Sequence, residues 1–131
     1  MFKRIDHVEL ITNEPDRIVA FYTEVLGFKV KDRNRVERSS AGVPMDLVYL
    51  ELGGTTVELI TYRGANMGAA PTGLHLGYNL IALEVDDMGE ALSFLRRKGI
   101  ATVWGPRTLE RSARAEILDP DGNHIELRQW F

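Results

Sequence analysis

The chain contains no cysteine among its 131 residues. That absence excludes disulfide frameworks and thiolate metal sites, and it fits a reducing compartment. Nowhere does the sequence approach the run of about 18 apolar residues that a membrane-spanning helix needs. The opening stretch, Met1-Phe2-Lys3-Arg4-Ile5-Asp6, lacks the apolar core of a secretory signal. Cytoplasmic residence is therefore expected, with no membrane partner. Basic residues are interspersed with acidic ones, and the net charge is −3. Without a basic stripe, nucleic acid is not an expected partner.

What is present suits one globular domain. Apolar residues make up 44% of the chain, enough for a core without covalent staples. The sequence also repeats itself. Residues 7–30 and 80–103 each run from an alternating apolar stretch, through an Asn/Asp cap, into helical spacing that ends on glycine. The caps are Asn13 in the first copy and Asp86 or Asp87 in the second, and Pro15 suits a first helical turn. The apolar stripes are Ile18, Val19, Phe21, Tyr22, Val25 and Leu26, then Met88, Ala91, Leu92, Phe94 and Leu95. Gly27 and Gly99 suit left-handed helix ends. Strands are expected at Phe28–Glu37 and Ile100–Trp104.

Each copy then ends on a hairpin. Residues 47–62 turn at Gly53-Gly54, and residues 113–129 turn at Asp119-Pro120-Asp121-Gly122. Residues 38–45 and 105–112 are expected as loops. The result is one domain over 1–131, with module 1 at about 1–63, a Gly/Ala/Pro-rich linker at 64–77, and module 2 at about 78–131.

Alternation along the strands sorts side chains by face. Val8, Leu10, Val57, Leu59, Ile125 and Leu127 fall on one aliphatic side, together with Asp6. The other carries His7, Glu9, Glu58, Glu84, His124, Glu126 and Arg128. An antiparallel sheet with a solvated outer face would look the same. Glu58 and Glu126 could equally be salt-bridged to Arg114 or Arg128, and His7 could be an ordinary strand histidine. Glu9 and Glu84 read as pocket lining or paired charges.

Four stretches stand out: Asp6-His7-Val8, Phe21-Tyr22 through Leu26-Gly27-Phe28, Val57-Glu58-Leu59, and Asp119-Pro120-Asp121-Gly122-Asn123-His124-Ile125-Glu126-Leu127. Together they resemble motifs of the glyoxalase/bleomycin-resistance/dioxygenase (vicinal oxygen chelate) superfamily. The resemblance implies an α+β fold: two tandem βαβββ modules forming an open cupped mixed sheet, with helices on the outer face. It also implies one divalent metal held by the first and last strands of each module. Carried over by residue, the ligands are His7, Glu58 and Glu126, and the fourth position falls on Leu80. Leucine cannot bind a metal, which puts occupancy in question; His124, Asn79 and His75 lie near the gap, and His124 is the favoured substitute. Nitrogen and oxygen donors leave Zn, Ni, Co, Mn and Mg open.

The chemistry implied is proton transfer beside a metal-polarised carbonyl, as in lyases or isomerases of the glyoxalase I or methylmalonyl-CoA epimerase type. Glu126 is the first choice of catalytic base and Glu58 the second. Ile11 and Tyr62 replace the Arg and Asn of the bacterial glyoxalase I pattern, so glutathione is not implied as a cosubstrate. Two alternatives stand beside this: a metal-free binding protein of the bleomycin-resistance kind, and an extradiol dioxygenase. A small-molecule substrate or ligand and a homodimer are the expected partners.

Overall fold

The computed structural model describes residues 1–65 and 67–131. The chain divides into two compact units, Met1–Gly68 and Ala69–Phe131. Asn66, within the expected linker, lies outside the described residues. Among the described residues, no helix is long and apolar enough to cross a membrane.

Both units are βαβββ modules, as the repeat predicts. Module 1 contains β1 (His7–Ile11), helix α1, β2 (Lys29–Val36), β3 (Met45–Leu52) and β4 (Thr55–Tyr62). Its sheet runs β1-β4-β3-β2, with β1 parallel to β4 and the other pairs antiparallel. Module 2 repeats this order as β5-β8-β7-β6. It contains β5 (Ile81–Glu84), α2 (Met88–Arg97), β6 (Trp104–Thr108), β7 (Ser112–Leu118) and β8 (His124–Trp130).

The parallel pairing follows from the connections. Strands β2, β3 and β4 form a meander of short links, and the helical crossover carries the chain from β1 to the far edge. The two-residue turn at Gly53 (φ +57°) and Gly54 (φ +81°) fixes the β3–β4 register. In module 2 the buried Asp119 carboxylate organises the turn. It accepts from the Asp121 and Asn123 amides at 3.0 and 2.9 Å, and from the Asn123 side chain at 2.8 Å.

Helix α1 is an α-helix over Pro15–Ala20 and a π-helix over Phe21–Val25. The Thr23 hydroxyl donates back to the Val19 carbonyl at 2.7 Å, competing with the helical ladder there. The widened turn brings Phe21 and Tyr22 into the core together. Tyr22 stacks edge-on with Phe21 and Phe28, at centroid distances of 5.7 and 5.3 Å. These rings, Ile18, Leu50, Val57 and Leu59 form the buried core of module 1. In module 2 the core is Met88, Leu95, Ala115, Ile117, Ile125 and Leu127. The Met88 amide donates to Gln129 at 2.9 Å, tying α2 to β8.

Three expectations need correction. Asn13 does not cap α1: Pro15 at the first helical position moves the cap to Glu14, whose amide donates to the buried Thr12 hydroxyl at 3.0 Å. Of the second-copy candidates Asp87 is the cap, accepting from the Glu90 amide at 2.8 Å. The strand expected at 100–104 instead begins at Trp104 and runs through the expected loop to Thr108. Gly105-Pro106 looked like a loop, but β6 is an edge strand, where a proline without N–H is tolerated. Asp6 precedes β1, so strand alternation does not reach it.

Gly105 adopts φ +89°, and a Cβ there would lie 2.8 Å from the Arg114 carbonyl oxygen and 2.9 Å from the Ala115 Cα. Gly105→Ala is expected to cost about 1–3 kcal/mol through backbone crowding, and Asp87→Ala about 1 kcal/mol through the lost cap. Shifts in the denaturant midpoint at unchanged slope check both.

Candidate functional site

In module 1, His7 and Glu9 point to the same side of β1 because they are two residues apart. The parallel register sets Glu9 directly beside Glu58, and the antiparallel register sets Tyr49 on the other side of Glu58. The imidazole Nε2 of His7 lies 2.8 Å from Glu58 Oε2 and 3.5 Å from Glu9 Oε1. One donor atom from each of His7, Glu9 and Glu58 falls within 4.8 Å of the others. The other ring nitrogen, Nδ1, lies 3.0 Å from Asp6 Oδ2. Both ring nitrogens therefore face carboxylates: the imidazolium can donate from each, and the neutral ring protonated on Nδ1 presents Nε2 for a cation.

Asp6 is the main reason the His7 pKa stands above the ordinary histidine value; partial burial opposes it and Glu58 adds to it. The Tyr49 phenol is pushed up chiefly by burial, and next by Glu58, whose carboxylate accepts its hydrogen bond. Glu58 is buried, with only 10% of its side chain exposed, whereas Glu9 is 57% exposed. The cluster adjoins an open cleft of about 510 Å³ lined by Arg4, Asp6, His7, Lys31, Tyr49 and Thr56 among others. All of these residues belong to module 1.

The corresponding face of module 2 is built differently. Glu126 occupies the place of Glu58, and its neighbour on the first strand of the module is Ala82 where module 1 has Glu9. Counting back along β5 puts Leu80 at the position of His7. Both Glu126 oxygens are taken by guanidinium groups: Oε2 by Arg114 at 2.5 Å, and Oε1 by Arg128 at 2.7 Å. Arg114, and secondarily Arg128, hold the Glu126 carboxyl below its ordinary range despite burial. Where module 1 has Tyr49, module 2 has Glu116, which pairs with His124 Nδ1 and accepts from Trp104 Nε1 at 2.6 Å. His75 sits in its own loop, with its ring nitrogens 3.0 and 2.9 Å from the Gly73 and Tyr78 carbonyls.

Of the sequence-derived site residues, His7 and Glu58 are thus in direct contact, and Glu126 is held by two arginines. The solvated-face expectation fails for both glutamates, which are buried. The salt-bridge reading describes Glu126 and does not describe Glu58. Glu9, Tyr49 and Asp6 were missed as members of the cluster. Two signals carried them: the i, i+2 spacing of His7 and Glu9, and register counted back from Gly53-Gly54, which pairs Tyr49 with Glu58.

The family described as Glyoxalase/Bleomycin resistance protein/Dioxygenase superfamily matches residues 4–127. The chain belongs to this superfamily. This glyoxalase-superfamily chain is 30% identical over 126 residues to a protein named lactoylglutathione lyase from Salmonella typhimurium, covering 95% of this chain and 90% of that one. Its fold also matches the trypanothione-dependent glyoxalase I of Leishmania major, with a TM-score of 0.75 and 27% identity over 98% of this chain and 87% of that one. An antibiotic-binding protein from a Streptomyces species shares the fold at a TM-score of 0.73 and 20% identity, covering 99% and 98% of the two chains.

The donor set fits a divalent cation. Bonds of about 2.0–2.2 Å place donors roughly 3–4 Å apart around an ion, and the His7 Nε2 contacts to Glu58 and Glu9, 2.8 and 3.5 Å, lie near that range, with all three donors within 4.8 Å. An imidazole whose far nitrogen is held by a carboxylate is also the usual support of a metal-binding histidine.

Because the Glu126 carboxyl is held below its unfolded value, its contribution to stability is full above the ordinary carboxylate range. It is lost as pH falls through the folded value. Glu126→Gln is expected to cost about 1–3 kcal/mol at neutral pH. The gap between variant and parent should narrow below about pH 4, as read from denaturant midpoints across a pH series.

Proposed function

We propose that this protein is a metal-dependent lyase or isomerase that moves a proton next to the carbonyl of a small substrate. The observation that carries the proposal is the His7–Glu58 pair, 2.8 Å apart and backed by Asp6 at 3.0 Å. His7 and Glu58 are the residues assigned to hold the cation. When bound, a divalent ion supplies Lewis-acid polarisation of a carbonyl or enediolate oxygen, worth several kcal/mol. Glu58 is assigned as the proton-moving carboxylate. Tyr49 is its cross-strand neighbour, and the burial of Glu58 keeps bulk water from competing for the proton.

Glu126 is the weaker choice of base, because two guanidinium groups depress its basicity. To bind a cation it would first have to release Arg114 or Arg128. The cleft beside His7 and Tyr49 is assigned to the substrate. The names of the Salmonella and Leishmania relatives support the lyase direction. The departures at Ile11 and Tyr62 argue for a carbonyl substrate other than a glutathione adduct.

A second reading is metal-free sequestration of a small molecule. It is favoured by Leu80 at a ligand position and by the arginine clamp on Glu126. Elemental analysis of protein purified without chelator separates the two. The enzyme reading expects a stoichiometric divalent metal, reduced at least tenfold in His7→Ala. It also expects a loss of kcat/KM of about 10²–10⁴ in Glu58→Gln on a turned-over α-hydroxy or α-keto carbonyl compound. Metal-free protein that binds an aromatic or peptidic compound would instead establish sequestration.

The protein is further assigned to the cytoplasm, in keeping with its lack of cysteine. It is also assigned a homodimeric state. Fully exposed Phe2, Leu74, Leu76 and Tyr78 support the latter, since such side chains are commonly covered by a partner. Light scattering coupled to size exclusion should give a mass near 30 kDa, about twice the 14.8 kDa of one chain. A monomeric mass at micromolar concentration would remove this assignment.

A further inference from the structure

We propose that Glu9 is the third protein ligand of the metal centre, so that module 1 alone supplies a complete three-donor site. The inference rests on the metal-dependent reading above and concerns which residues form the site.

Glu9 and Glu58 are direct neighbours across β1 and β4 and share one face. Like charges placed opposite one another in a sheet repel. Among the described residues, His7 is the one basic group paired with either of them. One imidazole faces three carboxylates, Asp6, Glu9 and Glu58, so even as imidazolium it leaves the cluster net negative around a buried acid. A divalent cation supplies the compensation that burial demands.

The repeat provides an internal control. In module 2 the equivalent glutamate has Ala82 beside it rather than a second carboxylate, and both of its oxygens are met by guanidinium. One module carries its positive charge in its own side chains. The other has Leu47 and Ile60 at the two arginine positions and a second acid, Glu9, where its counterpart has Ala82. The same sheet position has been furnished for a resident cation in module 2 and for a guest cation in module 1.

His7 and Glu9 leave β1 on the same side, and Glu58 reaches them from β4. All three therefore sit on two hydrogen-bonded strands, whose spacing is fixed by the backbone. Leu80 removes a donor that the second module would have supplied, and Glu9 restores the count to three. Water or substrate oxygen fills the remaining positions, as a catalytic site requires.

The test is a Co(II) titration of the full chain, followed by visible absorption and by equilibrium dialysis. Glu9→Gln should weaken Co(II) binding by at least tenfold while leaving the metal-free thermal midpoint within about 2 °C of the parent, as expected for an exposed position. Glu9→Asp should bind more tightly than Glu9→Gln, because it restores the carboxylate charge. Glu126→Gln should bind Co(II) within threefold of the parent. Parent-like affinity in Glu9→Gln would overturn the inference while leaving the metal-dependent function standing. So would a loss in Glu126→Gln as large as that expected for Glu9→Gln. A parent protein that binds no Co(II) would overturn both.

Discussion

Burying a carboxylate in the middle of a sheet costs several kcal/mol unless positive charge or hydrogen bonds replace the lost water. Each module of this protein places a glutamate there, Glu58 in β4 and Glu126 in β8, and both are buried. Much of the surrounding structure answers that demand. In module 2 the answer is Arg114 and Arg128, with Trp104 and Trp130 stacked near their guanidinium planes at 5.6 and 4.9 Å. In module 1 it is His7, steadied by Asp6, together with the phenol of Tyr49. The two solutions differ in reversibility. Guanidinium groups stay charged at any working pH, whereas an imidazole can hand over its place.

The repeat makes this contrast interpretable. Both modules use one strand order and one pattern of parallel and antiparallel pairing, so positions correspond by register rather than by sequence likeness. His7 corresponds to Leu80, Glu9 to Ala82, and Tyr49 to Glu116. The scaffold was kept and its polar face was refitted. The buried glutamate meets an imidazole in module 1 and two guanidinium groups in module 2.

Much of the fold was legible because its determinants are local. Alternation located the strands, Gly27 and Gly99 marked the helix ends, and the Gly53-Gly54 and Asp-Pro-Asp-Gly turns fixed the hairpins. Failures occurred where tertiary context outweighed local preference. Gly105-Pro106 reads as a loop until an edge position makes it acceptable in β6. Asn13 reads as a cap until Pro15 displaces it. His7 and Glu58 were legible through the family motifs. The fate of Glu126 was not, because Arg114 and Arg128 are reached across the sheet and compete for it with any metal. Glu9 was visible by parity with His7, but its significance depends on the parallel pairing of β1 with β4.

That parallel pairing bears on how the molecule assembles. Strands β2, β3 and β4 close through short links, whereas β1 meets β4 only after the whole crossover helix and two further strands have been laid down. Closing so long a loop carries the largest entropic cost in the module and makes this the least local of its contacts. The acidic pocket straddles this late seam. An ion seated there would act as a clasp on that junction, joining two strands that lie far apart along the chain.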